Sequence, residues 1–285
     1  MTRSLEFLSK RKKNLSTILS TTSGKIGFGL SAAFILMAVL APVISPYSPN
    51  LSVGPAYSAP SWQHPLGTDD VGEDILSQLI WGARGSLLIG VSAGLIATLL
   101  GVTIGLAAGY LGGKRGEGLM RITDIILVLP LLPLLIVVAA IFPSSVWLVI
   151  GVIGLLSWPM IARVIRSQTL TLKTRPFVDA SRLSGMSDLE IMFTVLLPNM
   201  IPLVVLYGVL AAVTAVVIEA GLDFIGLGSI TNLSWGIMLY FSLSRNALLR
   251  GNWWWFMTPG LMIALLGTGL ILLGYEIERV AEIRP

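Results

Sequence analysis

Six apolar stretches, each near the length that a bilayer crossing needs, dominate this sequence and leave few folds open to it. They fall at residues 26–44, 87–108, 122–141, 146–162, 201–222 and 259–273. About 20 apolar residues in helical form span the hydrocarbon core. Backbone polar groups in lipid must be satisfied within the segment, so a crossing of this kind is a helix. Only 12% of the residues are charged, against roughly 25% in soluble domains, too few to coat a water-exposed surface. The expected fold is an all-α integral membrane protein with six transmembrane helices. A segment at 1–25 precedes the first helix, an outer loop occupies 45–86, a five-helix core occupies 87–275, and a tail occupies 276–285. The first apolar run is long and has some 25 residues ahead of it, which fits a retained anchor better than a signal peptide.

The basic residues orient the chain. Arg3, Lys10, Arg11, Lys12, Lys13 and Lys25 precede the first span. Lys114, Arg115 and Arg121 follow the second, Arg163, Arg166, Lys173, Arg175 and Arg182 follow the fourth, and Arg279 and Arg284 follow the sixth. Thus 16 of the 19 basic residues lie on one side, and the other side has Arg84, Arg245 and Arg250. By the positive-inside rule both termini face the cytoplasm. The net charge of +4 serves orientation, and a nucleic-acid partner is not expected. The chain has no cysteine and a single histidine, His64, so neither a thiolate nor a histidine-rich metal site is available.

The spans carry more than anchoring requires. Gly90, Gly94, Gly101, Gly105 and Gly109 put small residues on one helical face of the second, where another helix can approach closely. Pro130 and Pro133 in the third and Pro159 in the fourth remove backbone donors and kink helices; such kinks either shape the bundle or line a pathway. Charge within spans is sparse. Asp124 lies near Arg121, which suggests an interfacial ion pair. Glu219 and Asp223, four residues apart, share a face near the outer end of the fifth span. They either face an aqueous pathway or mark the water boundary.

Two polar segments are strongly patterned. Between 163 and 198, Pro176 suits the first turn of a helix, and Gly185 is placed to end it. Ser187 and Glu190 have capping-box spacing for a second helix. Leu189, Met192, Phe193 and Leu196 then fall on one face, and Pro198 is expected to stop the helix before the fifth span. A bent helix–glycine–helix with an apolar face either docks a partner or packs against its own bundle. In the outer loop, Asp70 and Glu73 have capping spacing, and Ile75, Leu76, Leu79, Ile80 and Ala83 form the apolar face of an amphipathic helix at the membrane surface. The acidic cluster there lacks the alternating oxygen ligands of a calcium loop. Trp235, Tyr240, Trp253, Trp254 and Trp255 form an outer aromatic set, suited to stacking on sugars or to an interfacial belt.

Lys114 follows Gly113, but the glycine that a phosphate loop needs five positions earlier is Ala108, and Arg115 stands where Ser or Thr is required. No nucleotide site is recognisable, so any uphill transport draws on a partner or an ion gradient.

Asp179-Ala180-Ser181-x3-Gly185-x9-Val195-x-Leu197-Pro198 resembles the Glu-Ala-Ala…Gly…Ile-x-Leu-Pro signature of ABC importer permeases, with Asp, Ser and Val in place of Glu, Ala and Ile. The run from His64-Pro65-Leu66-Gly67-Thr68-Asp69 to Gly82-Ala83-Arg84 is similar to a stretch typical of the C-type subunit of oligopeptide/dipeptide/nickel permeases, although the usual arginine after Gly72 is Glu73. Glu219-Ala220-x2-Asp223-Phe224-Ile225-Gly226-Leu227-Gly228, Ser234-Trp235-Gly236 and Pro259-Gly260 extend the match.

The resemblance implies the transmembrane domain of a type I ABC importer. It implies a non-catalytic subunit with a homologous B-type permease, two ATPase subunits and an extracytoplasmic substrate-binding protein as partners. ATP and magnesium would be bound by the ATPases, and no cofactor by this chain. Asp179, Ala180, Ser181, Arg182, Leu183, Gly185, Leu197 and Pro198 would couple to the ATPase. Glu219, Asp223, Pro130 and Pro133 are candidates to line the pathway. Peptides are the default cargo, with oligosaccharides or nickel as alternatives. A secondary transporter leaves the 163–198 element unexplained, and a membrane-embedded enzyme lacks catalytic sets in the spans.

Overall fold

The computed structural model describes residues 19–142, 145–229 and 232–282. Within them the chain is helical: α1 (Thr22–Ile44), α2 (Ile75–Leu111), α3 (Gly113–Val128), α4 (Leu131–Ile141), α5 (Val146–Leu172), α6 (Pro176–Leu183), α7 (Asp188–Glu190), a π-helical turn (Ile191–Leu196), α8 (Leu197–Phe224), α9 (Trp235–Ser244) and α10 (Trp253–Glu282). Five helices are long and apolar enough to cross a membrane, or six with α3 and α4 counted as one broken span. The basic residues before Lys25, and Arg284, lie outside the described residues.

The helices overrun the apolar stretches that mark them. α2 has 37 residues, about 55 Å at 1.5 Å per residue, well beyond a hydrocarbon core of roughly 30 Å. The expected surface helix after residue 74 is therefore the N-terminal end of α2, not a separate element. Its face formed by Ile75, Leu79 and Ala83 is buried against Phe34, Trp235 and Met238. α10 likewise begins six residues before Pro259 and ends at Glu282, beyond the expected core boundary.

α2 is the central post. Its glycines serve two neighbours rather than one. Gly90 abuts Val216, and a Cβ on Gly94 would lie 2.8 Å from the backbone nitrogen of Ala212, both on α8. Gly101, Gly105 and Gly109 press on Ile161, Ala162 and Thr169 of α5; a Cβ on Gly105 would sit 2.5 Å from the Ala162 carbonyl oxygen. Backbones this close gain dispersion contacts that larger side chains would forbid. α1 and α10 close one flank, where Gly27 and Gly269 bring their backbones together.

Proline acts differently from site to site. The third span is broken by 73° between α3 and α4. Leu129 precedes Pro130 and takes extended angles (φ −67°, ψ 124°), as a residue before proline must when the α region is closed to it. Pro159, Pro202 and Pro259 sit inside unbroken helices. Pro198 does not stop the 187–197 helix, which runs on into α8. The turn before it widens to π winding, with the Leu197 N–H donating to the Met192 carbonyl five residues back. A proline clashes with the carbonyl four residues earlier in an α-helix, and the wider turn removes that conflict.

Candidate functional site

The 176–197 element is built from local signals that act as expected. Pro176 opens α6. Gly185 ends it at φ +81°, with its N–H bonded to the Arg182 carbonyl and the Met186 N–H to the Ser181 carbonyl, a Schellman cap. The space around Gly185 is open, so the glycine is required by its dihedral and not by crowding. Ser187 and Glu190 form the capping box: the Ser187 N–H donates to Glu190 Oε2 at 2.8 Å, and the Glu190 N–H to Ser187 Oγ at 3.4 Å.

Three contacts fasten this element to the end of α2. The Tyr110 hydroxyl donates to Asp188 Oδ1 at 2.7 Å. The Arg182 guanidinium lies 5.6 Å from the centre of the Tyr110 ring. Lys173 Nζ donates to the Gly109 carbonyl at 2.9 Å. None was anticipated, because each joins residues far apart in sequence. Val178, Ile191 and Leu196 are fully buried in the core at that end.

The expected apolar face is divided. Met192 and Leu196 turn inward, while Leu189 (67% exposed) and Phe193 stay outside. With Phe177 and Leu183 (91% exposed) they leave an apolar set on the outside of the element. Asp179, Ala180 and Arg182 are exposed beside it, and Ser181 is half-buried. Leu197 is half-buried and Pro198 exposed where the element enters α8. Such a surface on a stiff, doubly capped base suits mechanical contact with another protein.

At the opposite end the loop before α2 folds around a polar core. Helix α2 is capped by Asp74, whose Oδ2 accepts from the Ser77 N–H at 2.8 Å and whose Oδ1 lies 3.0 Å from His64 Nδ1. The expected Asp70–Glu73 capping pair does not form: Gly72 turns the chain at φ +85°, and Asp70 pairs instead with Arg245 at 3.2 Å. Asp69 Oδ1 accepts from the Val71 and Glu73 N–H groups, and its Oδ2 accepts from Gln78 Nε2 at 2.7 Å. Gln78 also donates to Glu73. Burial pushes the Asp69 carboxyl above its ordinary value despite these bonds. Burial, reinforced by the Asp69 charge, raises Glu73 as well.

Glu219 and Asp223 share a face of α8 as their spacing requires, and both are buried, at 1% and 3% exposure. Neither side chain is exposed at the surface of the chain. The Ser234 hydroxyl donates to Asp223 Oδ2 at 2.6 Å and accepts from the Ile237 N–H at 3.2 Å, capping α9. Gly228 and Gly236 leave room for Asp223; a Cβ on Gly228 would collide with its carboxylate, and one on Gly236 would lie 2.8 Å from its Cβ. Trp235 is wholly buried and donates from Nε1 to the Leu79 carbonyl at 2.9 Å. Trp255 is buried too, so the outer aromatic set is partly core. Pro130 and Pro133 lie exposed at the α3–α4 break. Asp124 pairs with Arg163 of α5 at 2.6 Å rather than with Arg121.

A multi-spanning helical bundle with a braced, apolar-surfaced element at one end defines a class: the membrane-embedded subunit of a multi-component transporter. The chain belongs to the family described as binding-protein-dependent transport system inner membrane component, whose profile matches residues 101–279. A Brucella suis protein provisionally named a peptide permease is 40% identical over 83% of this chain and 80% of its own length. The di/tripeptide transport system permease protein DppC of Pseudomonas aeruginosa is 36% identical over 84% of this chain and 81% of its own. The oligopeptide transport system permease protein OppC of Bacillus subtilis is 34% identical, covering 81% and 76%. Among solved structures, a chain of the MetNI methionine ABC transporter shares the fold, with a TM-score of 0.58 at 19% identity, covering 73% of this chain and 97% of that one. The protein is thus a multi-pass inner-membrane permease component of an ABC transporter, non-catalytic itself, that works with ATPase and binding-protein partners.

Proposed function

We propose that this chain is the C-type permease of a peptide importer, paired with a homologous B-type subunit, with both termini in the cytoplasm and residues 176–197 seated on the ATPase. The apolar set of Phe177, Leu183, Leu189 and Phe193 on a capped and braced element carries the coupling assignment. Asp179, Ala180, Ser181, Arg182 and Leu183 form its contact helix, Gly185 sets its bend, and Leu197 and Pro198 pass its movement into α8. The broken third span, with Pro130 and Pro133, faces the partner permease across the pathway. The names of the relatives support peptides as cargo, ahead of oligosaccharides or nickel. The charge bias of the loops supports the orientation.

The chain has no cysteine, so single-cysteine variants report cleanly. Leu183→Cys is expected to crosslink to a co-expressed ATPase subunit and to be shielded from impermeant reagents outside the cell. Trp62→Cys, at a fully exposed position in the outer loop, is expected to react from outside. Labelling of Leu183→Cys from outside, or no crosslink to the ATPase, would refute the coupling assignment. Uptake of labelled dipeptides and oligopeptides, compared with oligosaccharide and nickel, tests the cargo.

A further inference from the structure

We propose that Glu219 and Asp223 form a site for one hard cation, of the sodium or calcium kind, inside the bundle. The two carboxylates line a cavity of ≈ 30 Å³ together with Ser229, Asn232 and Ser234. That is room for a single water-sized occupant. Glu219 lines this cavity, and its buried Oε2 has no hydrogen-bond partner among the described residues. A pair of buried carboxylates at such a place in a membrane protein is costly until a positive charge answers it. Among the described residues the cavity wall supplies none. From α2 it takes Gly85, Leu88 and Ile89, and from α5 Val146 and Val149. Arg84, next to Gly85, is exposed and lies over the Trp81 ring at 5.1 Å.

A water molecule would fill the space without neutralising the charge. A proton would neutralise a charge without filling the space. A cation does both and ligates the orphaned oxygen. The polar side chains of the lining present oxygen and amide groups only, with no sulfur or imidazole, and oxygen donors select hard cations. Magnesium gives up its water reluctantly and is a poor fit to a space of this size. The bound ion ties the end of α8 to Ser234 at the start of α9.

The test uses the assembled, detergent-purified transporter. Its thermal unfolding is followed in chelator-treated choline buffer while sodium chloride or calcium chloride is added, with choline chloride and magnesium chloride as controls. The expected result is a saturable rise of a few degrees in Tm with sodium or calcium, the responsive arm identifying the ion. Glu219→Gln is expected to abolish the rise, and Ser229→Ala to move half-saturation to several-fold higher concentration. If Glu219→Gln does not assemble, binding of radiolabelled sodium or calcium to the wild-type complex, weakened by Ser229→Ala, carries the same information. A Tm that responds only to acid, with neither cation exceeding choline and no labelled ion retained, overturns the proposal and leaves the pair held by protons alone.

Discussion

Two glycines do opposite jobs. Gly185 has empty space around it but a backbone at φ +81°, a region that costs L-residues roughly 1–2 kcal/mol. Gly228 is hemmed in by the Asp223 carboxylate. Gly185→Val is therefore expected to unseat the bend and abolish uptake while membrane levels persist. Gly185→Asn, which tolerates the left-handed region, is expected to keep most of the uptake. Equal loss in both would point to a packing role for Gly185 instead of a conformational one. Ala180→Glu places a charge on the exposed face of α6 and, on the proposed coupling role, is expected to block transport with the fold intact, read as normal membrane abundance with uptake near background. For Gly228→Ala the expected outcome is poor assembly, seen as reduced yield of the purified complex, because the buried carboxylate has nowhere to retreat.

The 176–197 element shows which information a sequence holds locally. Pro176, the Gly185 bend and the Ser187–Glu190 capping box act through partners within a few residues, so spacing alone reveals them. The inward turn of Met192 and Leu196 was legible only in part, since helical periodicity assumes α winding and the turn before Pro198 is π. The bond from Tyr110 to Asp188 joins residues 78 apart, and no local pattern announces it. Helix ends were misjudged for a related reason. Hydropathy detects where lipid solvates a helix, and α2 continues as a helix past lipid because Trp235 and Phe34 bury its extension. Tyr110→Phe removes the hydroxyl bond of the brace at a cost of about 1 kcal/mol. Transport per ATP hydrolysed is expected to fall several-fold while substrate-independent hydrolysis stays near wild type; unchanged stoichiometry would show that the brace does not stiffen the coupling element.

Across the whole molecule the 45–74 loop and the 176–197 element lie at opposite ends of one post, α2. The stability of the loop is expected to depend on pH. Asp69 and Glu73 are both raised above their ordinary values, so each holds its proton more tightly folded than unfolded. Their protonation thus favours the folded loop, and that contribution is lost as pH rises through the folded values. Backbone amides of residues 50–74, corrected for intrinsic exchange, are expected to exchange more slowly in mild acid than at neutral pH, and Glu73→Gln to flatten the difference. Slower exchange at neutral pH would reverse the assignment.

The glycine-lined post also bears on biogenesis. α2 leaves the ribosome before both helices that its grooves accommodate, α5 and α8. Until they arrive, Gly90, Gly94, Gly101, Gly105 and Gly109 face lipid or the insertion machinery, where shallow notches offer little to hold. Assembly is therefore expected to be sequential, with α2 and α5 pairing along Gly101, Gly105 and Gly109 before α8 docks against Gly90 and Gly94. Bulky residues on the post would impair maturation before they affected transport, and truncated chains ending after α5 should already contain the first half of that seam.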